Sequence, residues 1–397
     1  IGGAQRYTAK IIKIIPKADN ETLGVVRFRD NAIRLEPASK KASKLEIPRD
    51  MLGDAQDGDL VLVETVRGPK YGLKKARVTS VIGSFNSEKA ISLIVIHANE
   101  IPHVFPENVL HEAKQAKPVR QEKREDWRDV PLITIDPADA KDHDDAIQAE
   151  PDPDVPGGHL VRVAIADVSA YVKPGSAMDK EALLRGNSVY FPDRVVPMLP
   201  ERISNDLCSL REGEDRPALA VKMKFDAEGR KTSHSFHRIL MRNHANLAYP
   251  RVQAAIDGQP DEVTKPILKT VLEPLWAAYR CMMKGRNNRQ PLELDLPERK
   301  ILLNDDGTVR EVLVPERLDA HKLGEECMIQ ANVCAAETLE NKRQKLIYRV
   351  HDAPSMDKME RLREFLSTLD ISLARPGNLR AMHFNQILSR VIGTEHD

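Results

Sequence analysis

Five aspartates fall within ten residues of the segment PLITIDPADAKDHDDAI, residues 131–147: Asp136, Asp139, Asp142, Asp144 and Asp145, opposed only by Lys141 and His143. Like charges at that density repel, raise one another's pKa values and weaken a fold unless a cation compensates them. Oxygen ligands with no cysteine beside them suit magnesium, or manganese, better than zinc. Calcium fits less well, because an EF-hand loop opened at Asp142 would need an oxygen ligand where Ala146 stands and a glycine where Ile147 stands. Magnesium keeps part of its water and shares a few carboxylates with substrate phosphate, so the cluster suits a phosphodiester-cleaving centre. The competing reading is a solvated acidic loop. Its placement at the close of an apolar strand weighs against that.

The strand is legible in the alternation of Ile133 and Ile135 with Leu132 and Thr134, and Asp136-Pro137 ends it, since proline cannot continue a ladder and keeps its predecessor extended. Around it, residues 129–397 read as a mixed α/β domain. Strand patterns recur at 130–136, 159–167, 218–225, 234–241, 299–305 and 309–315, with helical patterns near 245–257, 263–287, 318–343, 355–369 and 377–393. Residues 99–128, with Pro102, Pro106, Pro118 and a dense mix of charges, read as a linker with a short helix. Before it, residues 1–98 carry six short apolar runs, at 8–15, 22–29, 32–38, 59–66, 76–83 and 91–98, separated by turn residues such as Gly53, Gly58 and Gly72. That spacing predicts a small closed barrel of the OB-fold or cold-shock kind, an architecture that presents a face to single-stranded nucleic acid.

The formal net charge of the 397 residues is zero, yet the stretch RGPKYGLKKAR gathers Arg67, Lys70, Lys74, Lys75 and Arg77 around Tyr71 with no acidic residue among them. Such a patch suits phosphate binding or, equally, a solvated hairpin tip. With 41% hydrophobic and 30% charged residues, and no apolar run long enough to cross a bilayer, the composition is that of a soluble multidomain protein without a membrane span. Cys208, Cys281, Cys327 and Cys334 form no C-x-x-C pair, which argues against structural zinc and against a disulfide framework. A reducing cytoplasm is the expected setting, and a monomer the default state.

The stretch ITIDPADAKDHDDAI resembles the signature of the ribonuclease II / ribonuclease R family, with Asp136, Asp142, Asp144 and Asp145 at the family's spacing. The resemblance continues in order through VAIADVSAYV (163–172), SVYFPDRVVPMLPERISNDLCSL (188–210), HKLGEECMIQANVCAA (321–336) and YRVHDAPS (348–355), and is closest to the bacterial ribonuclease R branch. It implies a cold-shock-like barrel followed by a ribonuclease II-type catalytic domain. The implied activity is processive, hydrolytic 3′-to-5′ degradation of single-stranded RNA to 5′-mononucleotides with two metal ions, magnesium or manganese. By resemblance, Asp136, Asp142 and Asp145 are chiefly metal ligands and Asp144 is the carboxylate nearest the chemistry. Tyr190 matches the family's base-stacking tyrosine, Tyr249 a second RNA-contacting tyrosine, and Glu325 a glutamate near the terminal nucleotide. Asp139 matches no essential position.

Two departures stand out. Leu294 falls where the family has the second aromatic of its base clamp, and leucine lacks a flat π face. The family's arginine-rich HFTSPIRRY-type motif and its closing RNA-binding barrel do not occur in these residues, so the chain reads as an amino-terminal piece lacking the end of the catalytic domain. RNA binding without turnover, an inactive fragment and a metal-dependent DNA nuclease remain as alternatives. Retention of all four aspartates favours the enzyme.

Overall fold

The computed structural model describes residues 21–29, 32–39, 42–66, 72–84, 88–121, 123–292, 294, 296–304, 308–350, 352–373 and 379–394. In chain order the strands and helices are β1 (Glu21–Arg29), β2 (Ala32–Pro37), β3 (Leu45–Glu46), β4 (Asp59–Val66), β5 (Lys75–Ser84), α1 (Glu88–Ala98), α2 (Glu107–Gln115), β6 (Glu125–Trp127), β7 (Thr134–Asp136), β8 (Asp145–Pro151) and β9 (His159–Ala166). They continue with α3 (Ala177–Arg185), β10 (Val189–Tyr190), β11 (Val195–Val196), β12 (Asp215–Phe225), β13 (Lys231–Arg242), β14 (Asn246–Ala248), α4 (Tyr249–Ile256) and α5 (Glu273–Arg289). The remainder is β15 (Lys300–Leu303), β16 (Val309–Leu313), α6 (Asp319–Asn341), α7 (Met356–Ser367) and α8 (Ala381–Val391). Two compact units result, one drawn from Ile1–Phe105, Leu183–Met198 and Arg299–Leu313, the other from Pro106–Ala182, Leu199–Glu298 and Val314–Asp397.

In the first unit, β1 to β5 close into a barrel in the order β1-β2-β3-β5-β4. Alternation explains its core: Val26, Ile33, Leu35, Val61, Val63 and Ala76 all point inward and are buried together. The expected run at 8–15 lies outside the described residues. The run at 91–98 is not a strand but the greater part of α1. Its β-branched residues suggested extended chain, yet Ser92 and Ile96, four apart, are the buried pair while Ile91 and Val95 face outward, a helical period that tertiary packing imposes over local propensity.

In the second unit a five-stranded sheet runs in the order β6-β13-β12-β9-β8, and a separate parallel pair joins β14 to β7. One face of the large sheet carries Ile147, Val161, Val163, Val221 and Met223, packed into a single core with Trp276, Ala278 and Met282 of α5 and Leu323 and Cys327 of α6. Helix α5 packs tightly against the β12–β13 turn, where Gly285 lies against Gly229. The helix expected from about residue 245 begins later, at Tyr249, because Asn246–Ala248 are taken up as β14 and Pro250 starts the first helical turn. All four cysteines are buried free thiols. Among the described residues no helix is long and apolar enough to cross a membrane.

Candidate active site

The acidic segment is fixed at both ends by strands. Asp136 closes β7, which pairs in parallel with β14 so that Asp136 stands opposite Ala248 and Tyr249 follows directly. Asp145 opens β8 opposite Ile165 of β9, and the Asp144 carbonyl accepts from Ala166 N at 2.9 Å. The loop between is held through its main chain. The hydroxyl of the fully buried Ser209 accepts from His143 N at 3.1 Å and donates to Lys141 O at 3.3 Å, and Leu210 N donates to His143 O at 2.8 Å. Ser209 is braced in turn, its carbonyl accepting from Arg216 Nε at 2.9 Å, while Asn243 Nδ2 donates to Leu210 O at 2.7 Å.

The carboxylates sense one another. Burial pushes Asp145 up to about 6, with Asp136 and Asp144 adding repulsion. Asp144 keeps a solvent-open edge, but the protein packed around it raises its carboxyl, followed by Asp142 and Asp136, with His143 pulling the other way. Asp136 binds His143, Nδ1 to Oδ2 at 2.7 Å, and that hydrogen bond holds the imidazole above its usual pKa. Tyr249 is pushed up to about 12, first by burial and then by Asp145 and Asp136, which places its ring in the same electrostatic neighbourhood.

The four carboxylates are hard oxygen donors of the kind a divalent cation takes, and Asp144 and Asp145, made reluctant to ionise by burial and by neighbouring carboxylates, would be relieved by one. The side chains do not converge as a finished coordination sphere: among the described residues no group of three or more His, Cys, Asp or Glu is close enough together to hold a metal ion. Two physical reasons are visible. Successive side chains along a strand alternate in direction, and the electrostatic neighbours differ accordingly: Asp144 acts on Cys208, Asp145 on Cys327 and Tyr249. Asp136, for its part, is turned to His143.

A stability measurement checks the burden that Asp145 carries. Its folded pKa, about 6, lies above the ordinary 3.8, so in the metal-free protein the penalty is absent below pH 3.8, grows between the two values as only the unfolded chain ionises, and is complete above pH 6. Asp145→Asn, unfolded by urea in chelator, is expected to gain on the order of 2–3 kcal/mol above neutrality and nothing in acid. A gain equal at both pH values would show that the carboxyl is not under this strain.

Of the other residues singled out in sequence, Glu325 on α6 is engaged by Arg286 at 3.3 Å and by Arg317. Tyr190, on β10 of the first unit, is 67% exposed. Lys74 and Arg77 are exposed and Lys75 is half-buried at the start of β5, while Arg67, Lys70 and Tyr71 lie outside the described residues. Leu294 is exposed and lines a groove together with His321. Sequence reasoning missed three features of this region. His143 was visible only as a stray positive charge, Ser209 is an anchor more than sixty residues away, and His321 stacks on Tyr249 with ring centroids 4.1 Å apart.

Comparisons with known proteins agree with this architecture. The RNB domain family model matches residues 124–396, and a cold shock domain model matches residues 35–106. Ribonuclease R of Vibrio parahaemolyticus is 34% identical over 376 residues, covering 93% of this chain and 45% of that protein. Ribonuclease R of Escherichia coli is 33% identical over 394 residues, covering 97% and 48%. The chain thus spans about half the length of the curated relatives it matches. Mycoplasma genitalium RNase R in complex with ribose-methylated single-stranded RNA superposes with a TM-score of 0.83 at 23% identity, covering 99% of this chain and 63% of that one. Its complex with double-stranded RNA gives 0.80 at 24%, covering 96% and 69%. With one model spanning most of the chain and the cold shock match preceding it, this chain belongs to the RNB domain family, alongside ribonuclease R.

Proposed function

We propose that this chain carries metal-binding carboxylates of the active site of a processive 3′-to-5′ exoribonuclease, which hydrolyses single-stranded RNA to 5′-mononucleotides in cytoplasmic RNA turnover. The observation that carries the reading is the set of four aspartates at Asp136, Asp142, Asp144 and Asp145, gathered between the end of β7 and the start of β8 and including two carboxyls whose pKa values are raised. Two divalent cations, magnesium or manganese, would supply Lewis acidity at the attacking and leaving oxygens. The protein's own part is to hold the carboxylates: Ser209 and Leu210 fix the loop, Asp136, Asp142 and Asp145 serve as ligands, and Asp144 orients the attacking water. Residues 1–98 act as an RNA-binding barrel using Lys74, Lys75 and Arg77, 99–128 as a linker, and 129–397 as the catalytic domain of a monomer. Tyr190 and Tyr249 contact bases. Glu325, engaged by two arginines, positions that pair near the terminal nucleotide.

The fact that Asp136 is paired with His143 lends weight to a second reading, RNA binding without turnover. One assay separates the two. The purified complete protein, given 3′-labelled single-stranded RNA and magnesium, is expected to release labelled 5′-mononucleotide at once, to spare matched DNA, and to stop in chelator. Internal fragments, equal cleavage of DNA, or RNA bound but never shortened would overturn the proposal.

A further inference from the structure

Tyr190, the exposed residue proposed above to contact a base, sits on a hairpin too small to stand by itself. Strands β10 and β11 have two residues each, form a sheet of their own, and pair as Val189 with Val196 and Tyr190 with Val195. An isolated two-stranded ribbon is marginal in water even at ordinary strand lengths. Phe191 N donates to Arg194 O at 2.8 Å, which leaves Pro192 and Asp193 as the tip. The orientation of Tyr190 therefore depends on what holds this ribbon from outside.

Two anchors hold it, both within the first unit. At the tip, Ser92 Oγ of α1 donates to Asp193 Oδ1, and Arg194 Nε donates to Asp193 Oδ2 at 2.8 Å. The Asp193 side chain and Ser92 are each only 4% exposed. A carboxylate that deep is costly to leave unbonded, so the tip is committed to this contact. Helix α1 is itself seated on the barrel, its Leu93 and Ile94 packed against Leu23, Val25 and Leu60. At the base of the hairpin, the buried Arg185 precedes the ribbon and donates to Pro197 O behind it at 3.1 Å and to Val104 O at 3.0 Å. Its guanidinium also lies 3.6 Å from the centre of the Phe105 ring. The base closes the loop, and the bond from Ser92 to Asp193 ties down the end that carries Tyr190. We propose that Asp193 is a positioning residue for base stacking: docked on Ser92, it lets the barrel and its helix α1 set the orientation of Tyr190. The inference rests on the reading of Tyr190 as a base contact and specifies what aims that ring.

The test measures the affinity of the complete protein for single-stranded RNA, in chelator so that nothing is cleaved, beside the urea midpoint of the first unit. Wild type is compared with Y190A, S92A, D193A, S92A/D193A and Y190A/D193A. Y190A is expected to weaken binding roughly 5- to 150-fold, the range for one lost stack. S92A and D193A are each expected to lose most of that factor, and Y190A/D193A to bind no more weakly than Y190A. S92A strands a buried carboxylate and lowers the midpoint, whereas S92A/D193A removes both partners and recovers it. Affinity that stays low in S92A/D193A while the midpoint recovers is the expected signature of positioning. Affinity that recovers with the midpoint would reduce the bond to a stabilising one and sink the proposal. So would D193A binding as wild type does, or a D193A loss that adds in full to that of Y190A. If Y190A itself binds normally, the base contact fails and the inference with it. Wild type that neither binds this RNA nor releases nucleotide from it in magnesium would overturn the ribonuclease reading as a whole, a separate result.

Discussion

Asp144→Asn in the complete protein is expected to lower mononucleotide release by about a thousandfold or more, while affinity for RNA stays within about threefold of wild type. The amide keeps the size of the carboxyl and removes one negative charge from a cluster in which Asp144 is raised by burial and by Asp142 and Asp136. Folding gains from that removal. Chemistry does not survive it, because an amide is a weak ligand for a hard cation and accepts no proton from water. Binding persists because it is spread over many phosphate and stacking contacts, and losing a negative charge near a polyanion does not weaken it. Filter binding and chelator-sensitive release measure the two quantities separately. Asp139→Asn, an exposed change outside the proposed set, serves as the control and is expected to leave both unchanged. Turnover within tenfold of wild type for Asp144→Asn would remove this residue from the chemistry.

The largest expected effect on stability belongs to Gly285→Ala. In a helix interior, glycine to alanine normally stabilises by about 1 kcal/mol. Here the sign reverses, because a Cβ on Gly285 would lie 2.2 Å from the carbonyl oxygen of Gly229, a backbone atom that cannot swing aside. The turn is itself pinned: Cys281 Sγ and Lys284 Nζ donate to Asp226 O and Ala227 O, both at 3.1 Å, and Gly229 has φ +73°. Helix α5 must therefore retreat from the sheet and pull Ala278 and Met282 out of the core. A loss of about 3 kcal/mol is expected, read as a lower urea midpoint for the second unit. A midpoint unchanged or raised would mean that the helix and turn can part without disturbing the sheet.

How much of this was legible in sequence depends on the range of the interaction. Barrel strands β1, β2, β4 and β5 and the strand closed by Asp136-Pro137 depend on alternation and turn chemistry over a few residues and were readable, whereas the two-residue β3 is too short to leave such a pattern. Residues 91–98 were misread because Ile and Val alternate there in a way that fits either period, and only the barrel wall decides which residues are buried. The pairing of β7 with β14 joins residues more than a hundred apart, so nothing local could show that Tyr249 lies next to Asp136. Ser209 gave no signal of its own either, since a serine reads as a surface residue until its two partners are known. The acidic set was found because charge density is a local property. Its arrangement depends on where β7 ends and β8 begins, and that is a fact of tertiary structure.

Four hydrogen bonds grip the acidic loop through main-chain atoms, Lys141 O, His143 N, His143 O and Asp144 O. Heredity can therefore edit an acid such as Asp144 without touching those four bonds. On the proposed reading, a single-base codon change from aspartate to asparagine at position 144 would silence turnover in one generation and bequeath an undamaged frame, free to drift towards guarding transcripts instead of consuming them.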